Sequence, residues 1–276
     1  MKIVIKIGGS LFNEDLHFFY EDMARLVKEG KHQVVIVHGG GPQIDAILKS
    51  QGKDPKFLYS QAGVKSRHTD EDTRDAAIMA LGGYVNKNIT ARLIKHGVNA
   101  FGFTGVDGAC MMANRKEKIV SVDPATSKRI VVKNDFSGRI DSERVKGEFI
   151  ISLLNLGIIP VIGALAIDDL GDILNTDGDR AAASICKAIA GDAFISVTDV
   201  PGVLKDMASK EVIPRIPASN LDAVMENVTG GMKKKIIAVK EAVSFGIPQV
   251  VITSGLLEQG VTKAIKGEMG TAITQQ

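Results

Sequence analysis

Lys6-Ile-Gly8-Gly9-Ser10 is the first stretch whose residue types and spacing can do chemistry. Two glycines after an apolar run let a phosphate approach the backbone, and the neighbouring lysine supplies charge. A second turn, His38-Gly39-Gly40-Gly41-Pro42, ends another apolar run. Pro42 suits a first helical position, so the glycines deliver the chain into a helix N-terminus, whose free N–H groups and positive dipole suit an anion. Gly230-Gly231-Met232-Lys233-Lys234-Lys235 opens a further helix. Lysines there oppose the macrodipole unless an anion joins them; for Lys233 and Lys234 a solvated turn is the plainer reading. Asn175-Thr176-Asp177-Gly178-Asp179 crowds polar groups into one turn, where a carboxylate can hold two lysines or, as Asp179, simply cap the next helix. Arg67 offers a fork that grips a carboxylate, and Asp70 or Thr69 can cap the helix that follows it. The turn Thr198-Asp199-Val200-Pro201-Gly202-Val203-Leu204 has apolar walls fit for an adenine ring or for chain reversal.

Short β-branched runs must position these turns: Lys2–Ile7, Gln33–His38, Ala100–Phe103, Ile158–Ile162, Ala193–Thr198 and Gln249–Thr253. They alternate with helical patterns over Asp15–Lys28, Pro42–Gln51, Asp70–His96, Ser142–Leu156, Arg180–Ala190 and Met232–Phe245. Runs apolar throughout are strands buried on both faces, and the alternation predicts a mainly parallel sheet between two helical layers, a three-layer αβα sandwich. Lys116–Lys133 breaks the pattern and reads as a β-hairpin turning at Pro124-Ala125-Thr126-Ser127. Both glycine turns then lie at carboxyl ends of strands, where such sheets bind ligands. The expectation is one unit with two lobes, residues 1–177 and 178–276.

The 276 residues, 45% of them hydrophobic, can bury a sizeable core. A net charge of +2 does not argue for nucleic acid. No apolar run reaches membrane-spanning length, and the start does not read as a secretory signal. Cys110 and Cys186 are the only cysteines, too few for a zinc site or a disulfide framework, which points to the cytoplasm. No Walker loop occurs, nor the motif set of protein kinases.

Taken in order, Lys-x-Gly-Gly, His-Gly-Gly-Gly, Asn-x-Asp-Gly-Asp, Thr-Asp-Val-Pro-Gly-Val-Leu and Gly-Gly-Met-x-x-Lys resemble the amino-acid kinase family, in its acetylglutamate-kinase-like branch, over the whole chain. The resemblance implies ATP with Mg2+, and transfer of the γ-phosphate to a carboxylate. It assigns Lys6 and Lys235 to charge stabilisation and Asp179 to organising them. It assigns Gly40, Gly41, Arg67 and Asn175 to the amino-acid substrate. The nucleotide falls to Gly8, Gly9, Ser10, Thr198, Asp199, Gly202 and Leu204. Where acetylglutamate kinases carry Gly-x-Arg-x-Thr, this chain has Gly63-Val-Lys-Ser-Arg67-His-Thr69, two residues longer. Ser-Arg-x-Thr-Asp, Asn-Thr-Asp-Gly-Asp and Met-Lys-x-Lys look instead like kinases whose substrate, α-aminoadipate or glutamate, is linked through its amino group to the small acidic carrier LysW. That implies a docking partner, for which the basic hairpin is the expected landing surface. It also implies a homodimer through the Asp70–His96 helix, without arginine feedback. The alternatives are an N-acetylglutamate kinase and a non-catalytic domain sensing amino acids or nucleotides.

Overall fold

In the computed structural model, residues 1–61, 63–123, 126–206, 209–228 and 230–275 are described. The chain begins β1 (Lys2–Ile7), α1 (His17–Lys28), β2 (Gln33–His38), α2 (Gly41–Ser50), β3 (Phe57–Tyr59), β4 (Lys65–Arg67), α3 (Glu71–Ala77) and α4 (Val85–Lys95). A π-helical stretch, Ile78–Tyr84, joins α3 to α4. Next come β5 (Ala100–Thr104), β6 (Met111–Arg115), β7 (Lys118–Val122), β8 (Arg129–Lys133), β9 (Ser137–Val145), α5 (Gly147–Asn155), β10 (Ile159–Gly163), β11 (Leu165–Ile167) and β12 (Ile173–Thr176). The remainder is α6 (Gly178–Ala188), β13 (Ala193–Thr198), β14 (Arg215–Pro217), α7 (Leu221–Asn227), α8 (Gly230–Ser244), β15 (Gln249–Ser254), α9 (Gly260–Ile265) and β16 (Thr271–Thr274).

Eight strands form one sheet in the order β14-β16-β15-β13-β1-β2-β10-β5, parallel except where β15 meets β16. Side chains alternate across it. Ile3, Ile5 and Ile7 of β1 join Phe19, Met23, Ile89 and Ala264 of α1, α4 and α9 on one face. Val4 faces the other way, with Ile150 of α5, Ala182 of α6 and Val239 of α8. Burial on both faces is why these strands are apolar almost throughout, and the three-layer αβα architecture follows. In this sheet the strands before Asp177 (β2, β10 and β5) lie to one side of β1 and those after it (β13, β14, β15 and β16) to the other. The strand order reverses at β1, the kind of switch point at which open α/β sheets bind ligands.

Three readings need correction. Ser142–Leu156 is not one helix. Ser142–Val145 ends β9, and only Gly147–Asn155 is helical, since β9 closes a small ring with β6, β11 and β12. Asp70–His96 is not a continuous α-helix, because Ile78–Tyr84 is π-wound. Asp177, not Asp179, caps α6, its carboxylate accepting from the amides of Asp179 and Arg180. The hairpin is β7–β8; Pro124 and Ala125 of its turn lie outside the described residues.

Candidate active site

β1, β2, β10, β13 and β15 end level with one another, since Ile7 is in register with His38 and Val197, His38 with Gly163, and Thr198 with Ser254. Both glycine turns therefore meet at one edge of the sheet. A Cβ on Gly9 would come within 2.9 Å of the Gly41 amide nitrogen, backbone that cannot yield, so glycine is required for the two turns to touch. A Cβ on Gly8 would lie 3.8 Å from Lys235 Nζ, which brings α8 to the same place. Ser10 follows, itself exposed, in the short helical turn Gly9–Asn13 that buries Leu11.

Alternation turns Lys6 to the face of β1 that Val4 also uses, toward α6. There its Nζ donates to Asp179 Oδ2 at 2.5 Å. Lys235 Nζ, from the first turns of α8, lies 3.6 Å from Asp179 Oδ1. Ser196 of β13 donates to that same oxygen at 3.0 Å. Lys6, Asp179 and Lys235 are 6%, 6% and 9% exposed, so two buried cations share one buried carboxylate. Burial would raise the carboxyl, but Lys235, Lys6 and the bonds from Lys6 and Ser196 outweigh it and hold Asp179 well below the carboxylate range. Burial pushes Lys235 down to about 8, with Asp179 opposing and Lys6 adding repulsion. The cluster carries one positive charge in excess, and an anion at the glycine turns would balance it.

Gly40 and Gly41 lead into α2, where the first amides have no intrahelical acceptor. A Cβ on Gly40 would come within 2.6 Å of Leu81 Cδ2, in the π-wound stretch. Arg67 reaches the turn from β4, donating through Nη2 to Gly41 O at 3.1 Å and pairing through Nη1 with Asp45 of α2. A substrate carboxylate at Arg67 would have to displace or share Asp45. Asn175, the last residue but one of β12, donates to Thr69 Oγ1 at 3.3 Å, two residues beyond Arg67. The hairpin lies close by, because the Tyr59 amide of β3 donates to Ser121 Oγ of β7 at 3.0 Å.

The second-half turn is less engaged. Thr198 donates to Asp199 Oδ1 at 2.8 Å, and a Cβ on Gly202 would come within 2.7 Å of Thr271 Oγ1, so Gly202 is needed for packing on β16. Leu204 bridges to Val212. Among the described residues no hydrogen bond joins Thr198, Asp199, Gly202 or Leu204 to Lys6, Asp179 or Lys235.

Several residues escaped the sequence reading. Ser196 is a polar residue in an otherwise apolar six-residue strand until Thr198, a visible signal. Asp45 and Gln43 fall on α2 with no local pattern; the buried Gln43 Oε1 has no hydrogen-bond partner among the described residues and would sit 3.5 Å from a Cβ on Gly40. His38 is fully buried and held neutral, burial taking it down to about 4. Its Nδ1 donates to Gly39 O at 3.0 Å, and its Nε2 lies 3.0 Å from Asn86 Nδ2 of α4, which fixes the tautomer and ties α4 to the glycine turn.

Known proteins resemble the chain over most of its length. Residues 1–254 match the amino acid kinase family. A LysW-aminoadipate/LysW-glutamate kinase from Metallosphaera sedula is 34% identical, covering 99% of this chain and 100% of its own. An acetylglutamate kinase from Methanopyrus kandleri is 35% identical over 92% of this chain and 96% of its own. The solved structure of smu.665 from Streptococcus mutans superposes with a TM-score of 0.78 at 26% identity, covering 100% of this chain and 99% of that one. With five motifs in order and two glycine turns meeting beside a buried lysine–aspartate–lysine cluster, the chain belongs to the amino acid kinase family and is a kinase.

Proposed function

We propose that the chain transfers the γ-phosphate of ATP to the side-chain carboxylate of α-aminoadipate or glutamate borne on an acidic, LysW-like carrier, giving an acyl phosphate. The observation that carries the phosphoryl-transfer half is the Lys6–Asp179–Lys235 cluster, with its excess positive charge, against the touching glycine turns. An acceptor carboxylate is already ionised at neutral pH and needs no general base. The work is positioning and stabilising charge on a loose transition state. Lys6 and Lys235 flank the transferred group and Asp179 sets their spacing. The Gly9, Gly40 and Gly41 amides donate to the phosphoryl oxygens. Arg67 and Asn175 hold the acceptor, and Gly8, Ser10 and the Thr198–Leu204 turn hold the nucleotide. Magnesium enters with ATP, carried by the phosphates. Among the described residues no cluster of three or more His, Cys, Asp or Glu offers a cage for it.

The sheet order supports dividing the work at β1. Residues 1–177 hold the acceptor and 178–276 most of the nucleotide, with Gly8 and Ser10 meeting its phosphates from the turn after β1. The carrier half of the proposal rests on the relatives' names and on the hairpin. Its outer face sets Val120 and Val131 between the Lys118–Lys133 pair and Arg129, the charge an acidic carrier would meet. The Methanopyrus kandleri relative favours one second reading, phosphorylation of N-acetylglutamate. Measuring ATP turnover with carrier-linked aminoadipate, carrier-linked glutamate and N-acetylglutamate separates them. Dominance of the last would transfer the function to the second reading, and ATP turnover with none of the three would remove both.

A further inference from the structure

The hairpin ends at Lys133, and its last strand is exposed almost throughout. Asn134 then turns the chain at φ +57°, in the left-handed region that asparagine tolerates. The next residue, Asp135, carries a charge and is only 1% exposed. Both of its carboxylate oxygens are engaged. Oδ1 accepts from the Ser137 amide at 2.7 Å, and Oδ2 accepts from the Thr69 amide at 2.9 Å. His68 Nδ1 donates to Oδ2 as well, at 2.7 Å. The backbone continues the same join. The Phe136 amide donates to Thr69 O at 2.7 Å, and the Asn175 amide donates to Phe136 O at 2.8 Å. Asn175 Nδ2 then closes on Thr69 Oγ1, and Thr69 is fully buried. Phe136 is buried too, with the guanidinium carbons of Arg115 and Arg74 at 3.8 and 4.5 Å from its ring centre. Arg115 Nε also donates to Asp135 O at 2.9 Å.

We infer that Asp135 is a positioning residue for the acceptor, fixing the spacing of Arg67 and Asn175 through Thr69 and Phe136. This role depends on Arg67 and Asn175 serving the acceptor, as the proposed reaction has them do. The two stand on different strands, β4 and β12, and among the described residues no hydrogen bond joins one to the other. Thr69 is common to both, two residues after Arg67 and bonded to Asn175. What holds Thr69 therefore sets their spacing. Donor count requires a carboxylate there. Thr69 and Ser137 each present an amide N–H, one to each oxygen, and neither amide can turn away. An asparagine in either orientation would set its NH2 against one of those amides. Among the described residues Asp135 has no bond to Lys6, Asp179, Lys235 or the Thr198–Leu204 turn, so its loss should be felt by the acceptor and not by ATP.

Steady-state kinetics of Asp135→Asn test this, with ATP and whichever of carrier-linked aminoadipate, carrier-linked glutamate and N-acetylglutamate the wild type turns over best. kcat/KM for the acceptor should fall on the order of ten- to a hundredfold, with KM for ATP unchanged. Adding Asp135→Asn to Arg67→Ala should cost less than adding it to the wild type, because part of the effect passes through Arg67. Hydrogen exchange of the substrate-free protein, read by mass spectrometry, should quicken in the segments holding Thr69 and Asn175 and stay as it was in β1. Where Asp135→Asn does not fold, Thr69→Val removes only the hydroxyl that Asn175 meets, and should give the same split between acceptor and ATP. Wild type inactive with all three acceptors would overturn the proposed reaction and this role with it. An active wild type would overturn the role alone if acceptor kcat/KM were unchanged in Asp135→Asn or Thr69→Val, or if KM for ATP rose in step. Fully additive losses with Arg67→Ala, or unchanged exchange at Thr69 and Asn175, would do the same.

Discussion

Two lysines around one aspartate should cost stability in the empty enzyme, and that cost can be measured. Burial lowers Lys235 from 10.5 to about 8 even with Asp179 beside it. A depression of that size corresponds to about 3 kcal/mol spent on keeping the ammonium charged in the fold. Lys235→Met removes the charge and leaves the closer Lys6–Asp179 pair intact, so the variant should be more stable at pH 7 by about 1–3 kcal/mol. The gain has a defined pH window. Below pH 8 the lysine is charged in both folded and unfolded chains, and the whole cost is present. As pH rises from about 8 toward 10.5 the folded form gives up its proton first, the wild type recovers stability, and the difference closes. Asp179→Asn does the opposite, leaving two buried cations without a counter-charge, and should lose about 3–5 kcal/mol. Turnover should fall on the order of a hundredfold or more in Lys6→Ala and Lys235→Met. Urea unfolding of nucleotide-free protein across the alkaline range reads all of this. A Lys235→Met variant less stable than wild type at pH 7, or a difference that ignores pH, would refute the charge-excess reasoning.

The free enzyme should lose kcat/KM for ATP above pH about 8 as Lys235 deprotonates, while the kcat profile, set by the complex in which phosphates favour the charged lysine, should hold to higher pH; coincident profiles would count against Lys235 meeting the nucleotide. Lys118→Glu, Arg129→Glu and Lys133→Glu together should raise KM for a carrier-linked acceptor at low salt and leave KM for ATP unchanged, the effect shrinking as salt screens it; equal KM values across a salt titration would remove the hairpin from docking. A homodimer is expected across α4 and the unpaired edge of β5, where Tyr84 is 65% and Phe101 48% exposed. Sedimentation should give a dimer for the wild type and a monomer for Tyr84→Glu with Phe101→Glu, and a monomeric wild type would refute it.

What could be read from the sequence follows from burial. β1, β2, β5, β10, β13 and β15 lie in the body of the large sheet or at its end, are rich in apolar residues, and stood out as runs. The glycine turns were legible because only glycine allows backbones to touch as Gly9 and Gly41 do. The ring of β6, β9, β11 and β12 was not legible. Its strands are short or half-buried, and the polar end of β9 runs into α5 with a single residue between, so the two merged into one apparent helix. Asp45, Ser196 and Asn86 were missed for another reason. Their roles depend on partners on other elements, Arg67, Asp179 and His38; the polar Ser196 stands out in its apolar strand, but no local spacing names any of these partners.

The central claim is that phosphate arrives on the side-chain carboxylate of a carrier-borne amino acid. Acyl phosphates are trapped by hydroxylamine as hydroxamates, which mass spectrometry can locate on the carrier. With ATP, magnesium and carrier-linked aminoadipate or glutamate, wild-type enzyme should leave a hydroxamate on the side-chain carboxylate, Lys6→Ala should leave almost none, and free N-acetylglutamate should yield little. A hydroxamate formed as readily on N-acetylglutamate, or none on either carrier-linked acceptor while ATP is consumed, would contradict the account.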